Sequence, residues 1–580
     1  MLLALAIVAC TGKPPDFGDG DQGTDRASPG DEYDPATDPL VNPASLLQPA
    51  PRETPEVIDS EATLTLLLPG SPNSLNSIFQ SSGYEMRLVE LLSDELFIYD
   101  KKLDWHLNDA MVDSYELSED LVTATVKLKP GLKWHDGKAY TTEDIRFSWE
   151  VIRDERVPCV AVKNGMDDIA DVQVVDERTV KFVHKEALPT SHWNLIFPVI
   201  PKHIFDKPGE REKDPTLKNS DYYNHYAREE IISNGPYRFV EWVTNDRIVL
   251  ERWDGYPGKK PRFKRVIFKI QPDDNTSLLL FKKGQLDEMR LTSKQFATQT
   301  NDAQFKKVGV KGYNPEWSYA VIGWNMDGSN PFFSDRTVRR AMAHAFNYGY
   351  AIKNFGYSVP QRCYGIFHPD SWMFNPNVTL FSFDLKKAAQ LLESVGWTLD
   401  PNDGLLYKTI AGAPVKFEFT LTIPQGSSTG PQVAAMFEQD LAKIGVSLKT
   451  ASLEWATFQQ RTRQHELQAF IMQWGSGAEP YTTRNIYHSE NYAKGRNYGG
   501  YTNPRVDELY DLVRVEFDKE KRAEYYREIQ KHIFDDQAYL YLWNNSTTWA
   551  FSKRIRGVQF SPRGVSLFDP SVRGWWAAKE

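Results

Sequence analysis

The sequence predicts an α/β fold, because stretches typical of β-strands and of amphipathic helices alternate along most of the chain. With 580 residues, of which 41% are hydrophobic and 13% aromatic, the chain can bury a large core. It is too long for one compact unit, so we expect two or three lobes. The alternation of strands and helices indicates sheets that are covered by helices on both faces.

The first elements follow this pattern from Val57 onward. Residues 62–68 are predicted to form a strand, and a loop rich in Pro, Ser and Asn leads to a helix at residues 85–92. Residues 122–128 alternate apolar and polar side chains, which is the period of a half-buried strand, and a Pro-Gly pair ends it. Residues 141–144 have the composition of a helix cap.

The later part of the chain repeats the plan with capped helices. Ser334 is predicted to cap a helix whose three arginines, Arg339 among them, lie away from its buried stripe. Those arginines are solvated or form internal ion pairs, and an anion site is the alternative. Asp384 is predicted to cap the next helix, Gly396 to end it, and residues 431–444 to form a further helix.

A turn after a strand-like run is the best candidate for a binding pocket. Residues 470–474 are predicted to form an apolar strand that ends at Trp474 and is followed by Gly475, Ser476 and, three residues later, Glu479. Such a turn brings bare backbone, an aromatic face and a carboxylate to one place, as a recognition pocket requires. We therefore expect Trp474, Gly475, Ser476 and Glu479 to contact a ligand.

Composition and motifs exclude several classes of function. The net charge of about −10, without long clusters of Lys and Arg, argues against nucleic-acid binding. No stretch approaches the roughly 18 apolar residues that a membrane-spanning helix needs. The histidines show no H-E-x-x-H pair, no Cys-x-x-Cys spacing occurs and no P-loop is present. We therefore expect neither a metal site nor a cofactor.

The N-terminus has the pattern of a lipoprotein signal. A short apolar run ends in Ile-Val-Ala before Cys10, which matches the lipobox, so Cys10 is the expected lipid attachment site. The signal is assigned to residues 1–10, and its shortness is consistent with a start further upstream. Residues 11–56 are rich in Pro, Gly and Asp and are predicted to form a disordered acidic tether. This organisation predicts an exported protein, periplasmic or at the cell surface, held at a membrane by its lipid.

The remaining cysteines, Cys159 and Cys363, leave two alternatives open. They pair in an oxidising compartment, or they are two isolated buried thiols, and the sequence does not decide between them.

A G-x-S-x-G motif around Ser428 raises the alternative of a secreted serine hydrolase. The motif lies between a predicted strand and a predicted helix, which is the context of a nucleophile elbow. Pro424 and Gln425 interrupt the passage from the strand to the serine. The simpler interpretation is a polar loop whose hydroxyl groups satisfy free N–H groups at the start of the helix.

Five motifs follow one another along the chain and together span nearly all of it after the tether. They are 128–138 with 142–148; 234–237; 283–287; 324–326 with 331–332 and 335–341; and 391–397. In this order they resemble the family 5 extracellular solute-binding proteins, which are the oligopeptide, dipeptide and nickel receptors of ABC importers.

This resemblance implies a two-lobed type II periplasmic-binding-protein-like fold with an extra subdomain inserted in lobe I. It also implies a monomeric receptor, not an enzyme, that captures a small solute by hinge closure and delivers it to the permease subunits of an importer. The expected boundaries are 57–100, 230–316 and 545–580 for lobe I, 101–229 for the inserted subdomain and 317–544 for lobe II.

The same resemblance makes a peptide or peptide-like solute the expected ligand. In peptide-binding members an Asp shortly after the tryptophan of the turn grips the α-amino group, and here the acidic residue of the turn is Glu479. An oligosaccharide or a nickel chelate is the alternative. Tyr84 and Asn325 are further candidates from other segments of the wall.

Overall fold

The computed structural model describes residues 34–47, 57–80, 82–157, 159, 162–163, 165–206, 231–427, 429–477, 481–493 and 495–579. Within these ranges the chain forms two compact units. The larger unit comprises residues 34–317, 512–522 and 546–580, and the smaller unit comprises residues 318–511 and 523–545. The predicted lobe boundaries stay predictions.

The strands and helices are numbered in chain order. The strands are β1 (Thr63–Leu68), β2 (Phe97–Tyr99), β3 (Trp105–Leu107), β4 (Val112–Leu117), β5 (Thr123–Leu128), β6 (Ile169–Val174), β7 (Thr179–His184), β8 (Tyr237–Val243), β9 (Arg247–Arg252), β10 (Arg265–Ile270), β11 (Glu288–Leu291), β12 (Gly309–Trp324), β13 (Gln361–Arg362), β14 (Thr398–Leu399), β15 (Leu406–Ile410), β16 (Ala413–Lys416), β17 (Glu418–Pro424), β18 (Ser447–Leu453), β19 (Ala469–Gly475), β20 (Tyr539–Ser552), β21 (Ile555–Arg556) and β22 (Trp576–Ala577). The helices are α1 (Ala44–Leu47), α2 (Gly83–Leu92), α3 (Thr142–Arg153), α4 (Lys202–Phe205), α5 (Asp274–Lys282), α6 (Ala303–Val308), α7 (Arg336–Ala345), α8 (Tyr348–Asn354), α9 (Leu385–Ser394), α10 (Gly430–Ala442), α11 (Trp455–Arg463), α12 (Tyr481–Tyr487), α13 (Pro504–Val515) and α14 (Lys519–Asp535). None of the helices in the described ranges has both the length and the apolar character that crossing a bilayer requires.

The larger unit is built on a mixed sheet in the order β20-β11-β1-β10-β9-β8. Its central strand, β1, runs parallel to both β10 and β11, whereas β9 is antiparallel to β10 and β20 is antiparallel to β11. Leu64, Leu66 and Leu68 of β1 are fully buried. A second, antiparallel sheet in the order β4-β5-β7-β6 lies within residues 101–206 and packs against α3. The extent of an inserted subdomain stays a prediction.

The Asn-Gly-Pro-Tyr motif at residues 234–237 joins the chain to the end of α2 in the larger unit. The side chain of Asn234 accepts a hydrogen bond from the backbone N–H of Asp94 (3.0 Å) and donates one to its carbonyl oxygen (3.0 Å). A Cβ atom at Gly235 would lie 2.5 Å from the backbone carbon of Leu92, so this close approach requires glycine. The motif is therefore structural.

The Lys-Gly-Gln-Leu-Asp motif at residues 283–287 ends in a carboxylate that ties three segments together. Asp287 Oδ2 accepts a hydrogen bond from the N–H of Thr65 in β1 (2.9 Å). The same carboxylate forms an ion pair with Arg554, which follows β20, at 2.5 Å. Because Asp287 itself precedes β11, one side chain fixes the positions of neighbouring strands.

The smaller unit contains a sheet in the order β18-β17-β19-β12-β20, with β13 beside β20. Strand β17 runs parallel to β18 and β19, and β19 is antiparallel to β12. Stacked aromatic rings fill the core, for example Phe332 against Phe417 with centroids 4.8 Å apart. The predicted α/β plan and the strand at residues 470–474, which belongs to β19, are confirmed.

The structure confirms the predicted caps of α9 and corrects the predicted N-terminal cap of α7. Asp384 caps α9 through a hydrogen bond from the N–H of Lys387 (2.8 Å), and Gly396 has a φ of 88°, as predicted. The prediction that Ser334 caps α7 is wrong, because Asp335 accepts the hydrogen bond from the N–H of Thr337 (2.7 Å).

Arg339 lies inside the smaller unit rather than on a solvated face. Its guanidinium donates hydrogen bonds to the carbonyl oxygens of Phe333 (2.7 Å) and Asp536 (3.0 Å) and to two others nearby. Burial lowers the pKa of Arg339 to about 10, and Asp536 opposes that shift. Arg339 is therefore internal, with carbonyl oxygens as its hydrogen-bond partners in place of the predicted ion pair, and its guanidinium is not available for an anion site.

The segment at residues 34–47, predicted as part of the tether, is folded onto the larger unit. Val41 forms a parallel bridge with Lys311 of β12, and Leu46 in α1 is 1% exposed. The overall composition of residues 11–56 gave no signal for this folded stretch, because its few apolar contacts are with segments far away in sequence. Residues 11–33 and 48–56 lie outside the described residues.

The two remaining cysteines are unpaired, which decides between the two alternatives. Cys159 and Cys363 are both buried and free, and they belong to different units. The Cys363 thiol donates a hydrogen bond to the carbonyl oxygen of Gly365 (3.2 Å). Burial raises the pKa of Cys363 to about 12, which makes it an inert structural thiol.

Candidate ligand-binding site

The carboxyl ends of three parallel strands define one edge of the smaller unit. Strand β17 ends at Pro424 beside Leu453 of β18, and β19 continues to Gly475. In open α/β sheets, ligands bind beside the carboxyl ends of parallel strands. A hollow of about 450 Å³ opens here beside β17 and β18, with Gln425 and Ser452 in its lining. The turn after Trp474 lies at the same edge of the sheet as this hollow.

Trp474 supports the turn rather than standing free in solvent. Its side chain is only 8% exposed, and its ring lies 5.7 Å from the ring of Tyr498 at an angle of 31°. Gly475 is exposed and Ser476 is buried. The structure thus brings Trp474, Gly475 and Ser476 together as predicted, with glycine as the member that offers open backbone.

Two polar side chains beside the turn were missed by the sequence analysis. Ser318 of β12 is the register partner of Gly475, and Asn545 donates a hydrogen bond to Ser318 Oγ (3.0 Å). The Asn545 amide also reaches Gln473 Oε1 at 3.4 Å. Only the pairing of β12 with β19 on one side and β20 on the other places these residues side by side, and no local sequence signal marks them.

Two residues of the sequence hypotheses lie outside the described residues. Glu479 belongs to the undescribed stretch 478–480, and Ser428 is also undescribed. Their roles stay predictions at this point.

Asn325 has its amide group fully engaged inside the smaller unit. It is 2% exposed. Its Nδ2 donates to the carbonyl oxygen of His465 (2.7 Å) and to Ser329 Oγ (3.2 Å), while its Oδ1 accepts from the N–H of Asp327 (3.0 Å). Both donors of the amide are therefore used. This geometry favours a loop-fixing role over ligand contact.

Tyr84 lies beyond the carboxyl end of the corresponding parallel strand in the larger unit. It is in the first turn of α2, which follows β1 after a loop, and it is 38% exposed. A Cβ atom at Gly70 would lie 2.8 Å from a ring carbon of Tyr84, so glycine at this loop position leaves room for the ring. Tyr84 therefore lies close to the loop that follows the carboxyl end of β1.

A charged pair that the sequence analysis missed lies one helical turn after Tyr84. Arg87 Nη2 is 3.0 Å from Glu288 Oε2, and the guanidinium lies 5.8 Å from the ring of Trp549. Burial raises the pKa of Glu288, and Arg87 opposes that shift. The available signal was the i, i+3 spacing of Tyr84 and Arg87 on one helix face.

Within the described ranges, no group of three or more His, Cys, Asp or Glu side chains is placed to hold a metal ion.

Comparison with known proteins decides the family. The profile of the bacterial extracellular solute-binding proteins, family 5 (middle region), matches residues 106–494. The chain belongs to this family. Its members are binding proteins, so the prediction that the chain is a receptor and not an enzyme is confirmed, and nothing supports the hydrolase alternative. An extracellular solute-binding family also implies an exported protein.

Similar members of the family extend over nearly the whole chain. The oligopeptide-binding protein AppA of Bacillus subtilis (strain 168) is 26% identical over 519 residues, covering 88% of this chain and 90% of that protein. The solved structure of AppA from Bacillus subtilis with a nonapeptide has a TM-score of 0.72 at 25% identity and covers 90% of this chain and 100% of that one. The structure of NikZ from Campylobacter jejuni with Ni(L-His) has a TM-score of 0.72 at 20% identity and covers 89% and 99%. These likenesses confirm the predicted two-lobed type II fold.

Proposed function

We propose that this member of the family is the substrate-binding receptor of an ABC importer and that its solute is a peptide or a peptide-like molecule. The observation that carries the choice of ligand is the likeness over nearly the full length to the Bacillus subtilis oligopeptide-binding protein, whose solved structure holds a nonapeptide. The exposed Gly475 suits an extended peptide, because a peptide's N–H and C=O groups need backbone partners.

The proposed contact residues are Trp474, Gly475, Ser476 and Glu479 in the smaller unit and Tyr84 in the larger unit. Asn325 is left out, since its amide has no donor to offer. Closure of the two lobes on the solute, which the resemblance implies, stays a prediction. A ligand of micromolar affinity supplies about 8 kcal/mol, enough to dominate an open–closed difference of a few kcal/mol.

A metal chelate is the second candidate ligand. NikZ from Campylobacter jejuni, with the same fold, holds Ni(L-His). A chelate brings its own metal ligands, so it does not need a cluster of His and carboxylate side chains in the protein. The oligosaccharide alternative rests only on the content of Trp and Tyr, whose large side chains are mostly in the core.

The partners and location follow from the receptor role. We propose that permease subunits of the importer recognise the loaded protein, that the receptor is a monomer, and that a lipid on Cys10 holds it at a membrane, in the periplasm or at the cell surface. The inserted subdomain and the lobe boundaries stated above belong to this proposal, and so does a tether that excludes the folded residues 34–47.

Mass spectrometry of small molecules released from the denatured, purified protein tests the ligand directly. We expect peptides. The matching binding experiment measures the midpoint of thermal unfolding with pooled peptides, with nickel-histidine and with oligosaccharides, because a ligand that binds only the folded state raises this midpoint. A rise with nickel-histidine alone would replace the peptide proposal by the chelate, and no rise with any of the three would count against both.

A further inference from the structure

Four cations on one surface of the larger unit have no anionic partner within the described ranges. They are Lys306 and Lys307 at the end of α6, Lys553 after β20 and Arg556 in β21, and we call them the basic patch. The carboxylates nearby are already used: Asp302 pairs with Lys282, and Asp287 pairs with Arg554. The patch stands out in a chain whose net charge is −10.

Backbone contacts hold the patch together. Lys553 Nζ donates a hydrogen bond to the carbonyl oxygen of Lys306 (2.5 Å), and the N–H of Lys553 donates one to Val308 (2.9 Å). The guanidinium of Arg556 donates to the carbonyl oxygen of Lys553. Lys306, Lys553 and Arg556 are therefore joined by direct contacts, and Lys307 is the next, exposed residue of α6.

The folded N-terminal segment, residues 34–47, lies directly beside the basic patch. A small cavity of about 120 Å³ is lined by Ser45 and Leu46 of this segment together with Lys553 and Arg556. The N–H of Val558, just after β21, donates a hydrogen bond to the carbonyl oxygen of Leu46 (3.3 Å). The segment is fixed next to the patch.

A buried ion pair fixes the start of the same segment. Lys311 of β12 is fully buried and pairs with Asp38 at 2.5 Å. Its Nζ also donates to the carbonyl oxygen of Phe296 (3.0 Å) and to Asn301 Oδ1 (3.1 Å). Separating such a pair leaves an uncompensated buried charge, so the attachment is firm.

We propose that the basic patch docks the larger unit onto an anionic lipid surface. The proposal uses the predicted lipid on Cys10 but does not depend on the identity of the solute. Only residues 11–33 separate the predicted lipid on Cys10 from the folded segment beside the patch, so the patch stays within reach of the headgroups. Each Lys or Arg near an anionic leaflet strengthens binding about fivefold, and the predicted lipid anchor keeps the local concentration of lipid high.

Vesicle co-sedimentation of the unlipidated chain tests the patch without the anchor. The protein is the chain from residue 10 to 580 with Cys10→Ser, and the vesicles are phosphatidylcholine with or without phosphatidylglycerol. The patch variant carries Lys306→Glu, Lys307→Glu and Lys553→Glu. The matched control reverses three other exposed lysines of the larger unit that form no ion pair within the described ranges, with Lys101→Glu, Lys102→Glu and Lys181→Glu, so the net charge of both variants is equal.

We expect the parent chain to bind the phosphatidylglycerol vesicles, to bind less as salt is added, and to ignore pure phosphatidylcholine. The patch variant should lose at least about tenfold in binding, and the control less than about threefold. Equal losses in both variants, or no binding of the parent chain at low salt, would overturn the proposal. Thermal unfolding with and without peptide, measured on each variant, shows that the fold and the solute site are retained, so a failure here is distinct from a failure of the receptor proposal.

Discussion

The Nε2 atom of His135 lies 3.0 Å from the carbonyl oxygen of Gly235, although one hundred residues separate them in the sequence. Since a carbonyl oxygen only accepts, Nε2 carries the proton, and Nδ1 accepts a hydrogen bond from the N–H of Ser233 at 3.3 Å. The Trp-His-Asp-Gly and Asn-Gly-Pro-Tyr motifs therefore form one structural joint that uses the neutral imidazole.

Protonation of His135 should destabilise the protein at acidic pH. Burial lowers its pKa to about 4 from an ordinary value of 6.5, and the hydrogen bond with Gly235 partly opposes the shift. The unfolded chain binds this proton first, so stability is lost as the pH falls from 6.5 toward 4. We expect His135→Gln to remove about 1 to 2 kcal/mol of this pH dependence in urea titrations. If the free energy of unfolding of His135→Gln depended on pH as steeply as that of the parent protein, the ring would not titrate as described.

Ionisation of Glu95 should destabilise the protein as the pH rises, whereas protonation of His135 does so as the pH falls. Burial raises its pKa to about 7, helped by Asp94, while Arg563 and Arg573 oppose the shift. The unfolded chain loses the proton first, so stability is present below about pH 4.5 and is lost as the pH rises through 7. We expect Glu95→Gln to stabilise the protein by about 1 to 2 kcal/mol at pH 8 and to change little at pH 4.5. The exposed Glu116→Gln is the control, and equal effects of both variants would contradict the assignment.

Gly235→Ala should be severely destabilising. Its Cβ would meet the backbone of Leu92 and Ser93 at 2.5 to 2.7 Å, and backbone atoms cannot move aside as a flexible side chain can. We expect a loss of about 3 kcal/mol or more in the free energy of unfolding. Gly83→Ala is the control, because nothing lies within 4 Å of its added methyl group. A cost below about 1 kcal/mol for Gly235→Ala would show that the joint is less tight than described.

Tyr84→Ala should weaken solute binding with little effect on stability. The ring is exposed and lies in the first turn of α2, so its loss should cost less than about 1 kcal/mol of folding free energy. If it contacts the solute, calorimetry should show a roughly tenfold weaker affinity. Tyr350→Ala, at an equally exposed tyrosine in α8, should leave the affinity unchanged. Unaltered binding by the Tyr84 variant would remove this residue from the site.

Asn325→Ala should reduce stability with little effect on solute binding, the reverse of Tyr84→Ala. It removes two donated hydrogen bonds and one accepted hydrogen bond from a buried loop, so we expect a loss of about 2 to 3 kcal/mol in unfolding free energy. The affinity of the protein that remains folded should stay within about twofold. A tenfold loss of affinity would restore Asn325 as a contact residue.

The sequence by itself determined the α/β plan, the receptor family and the position of the Trp474 turn at the end of a strand. These follow from local signals: the period of apolar residues, the capping of α9 by Asp384, the left-handed glycine at Gly396 and the order of the motifs. Such signals depend on neighbours a few residues apart, which the sequence displays directly.

Only the tertiary structure decided which side chains are used up and which are available. Arg339 and Asn325 look free in sequence, yet nearby groups and carbonyl oxygens from distant segments, such as Asp536 for Arg339 and His465 for Asn325, engage them. Asp38 forms an ion pair with Lys311, more than two hundred residues away, and so anchors part of the predicted tether. Cys159 and Cys363 lie in different units and are unpaired. The physical reason is that burial and hydrogen-bond partners are set by segments far apart in sequence, which no local pattern reports.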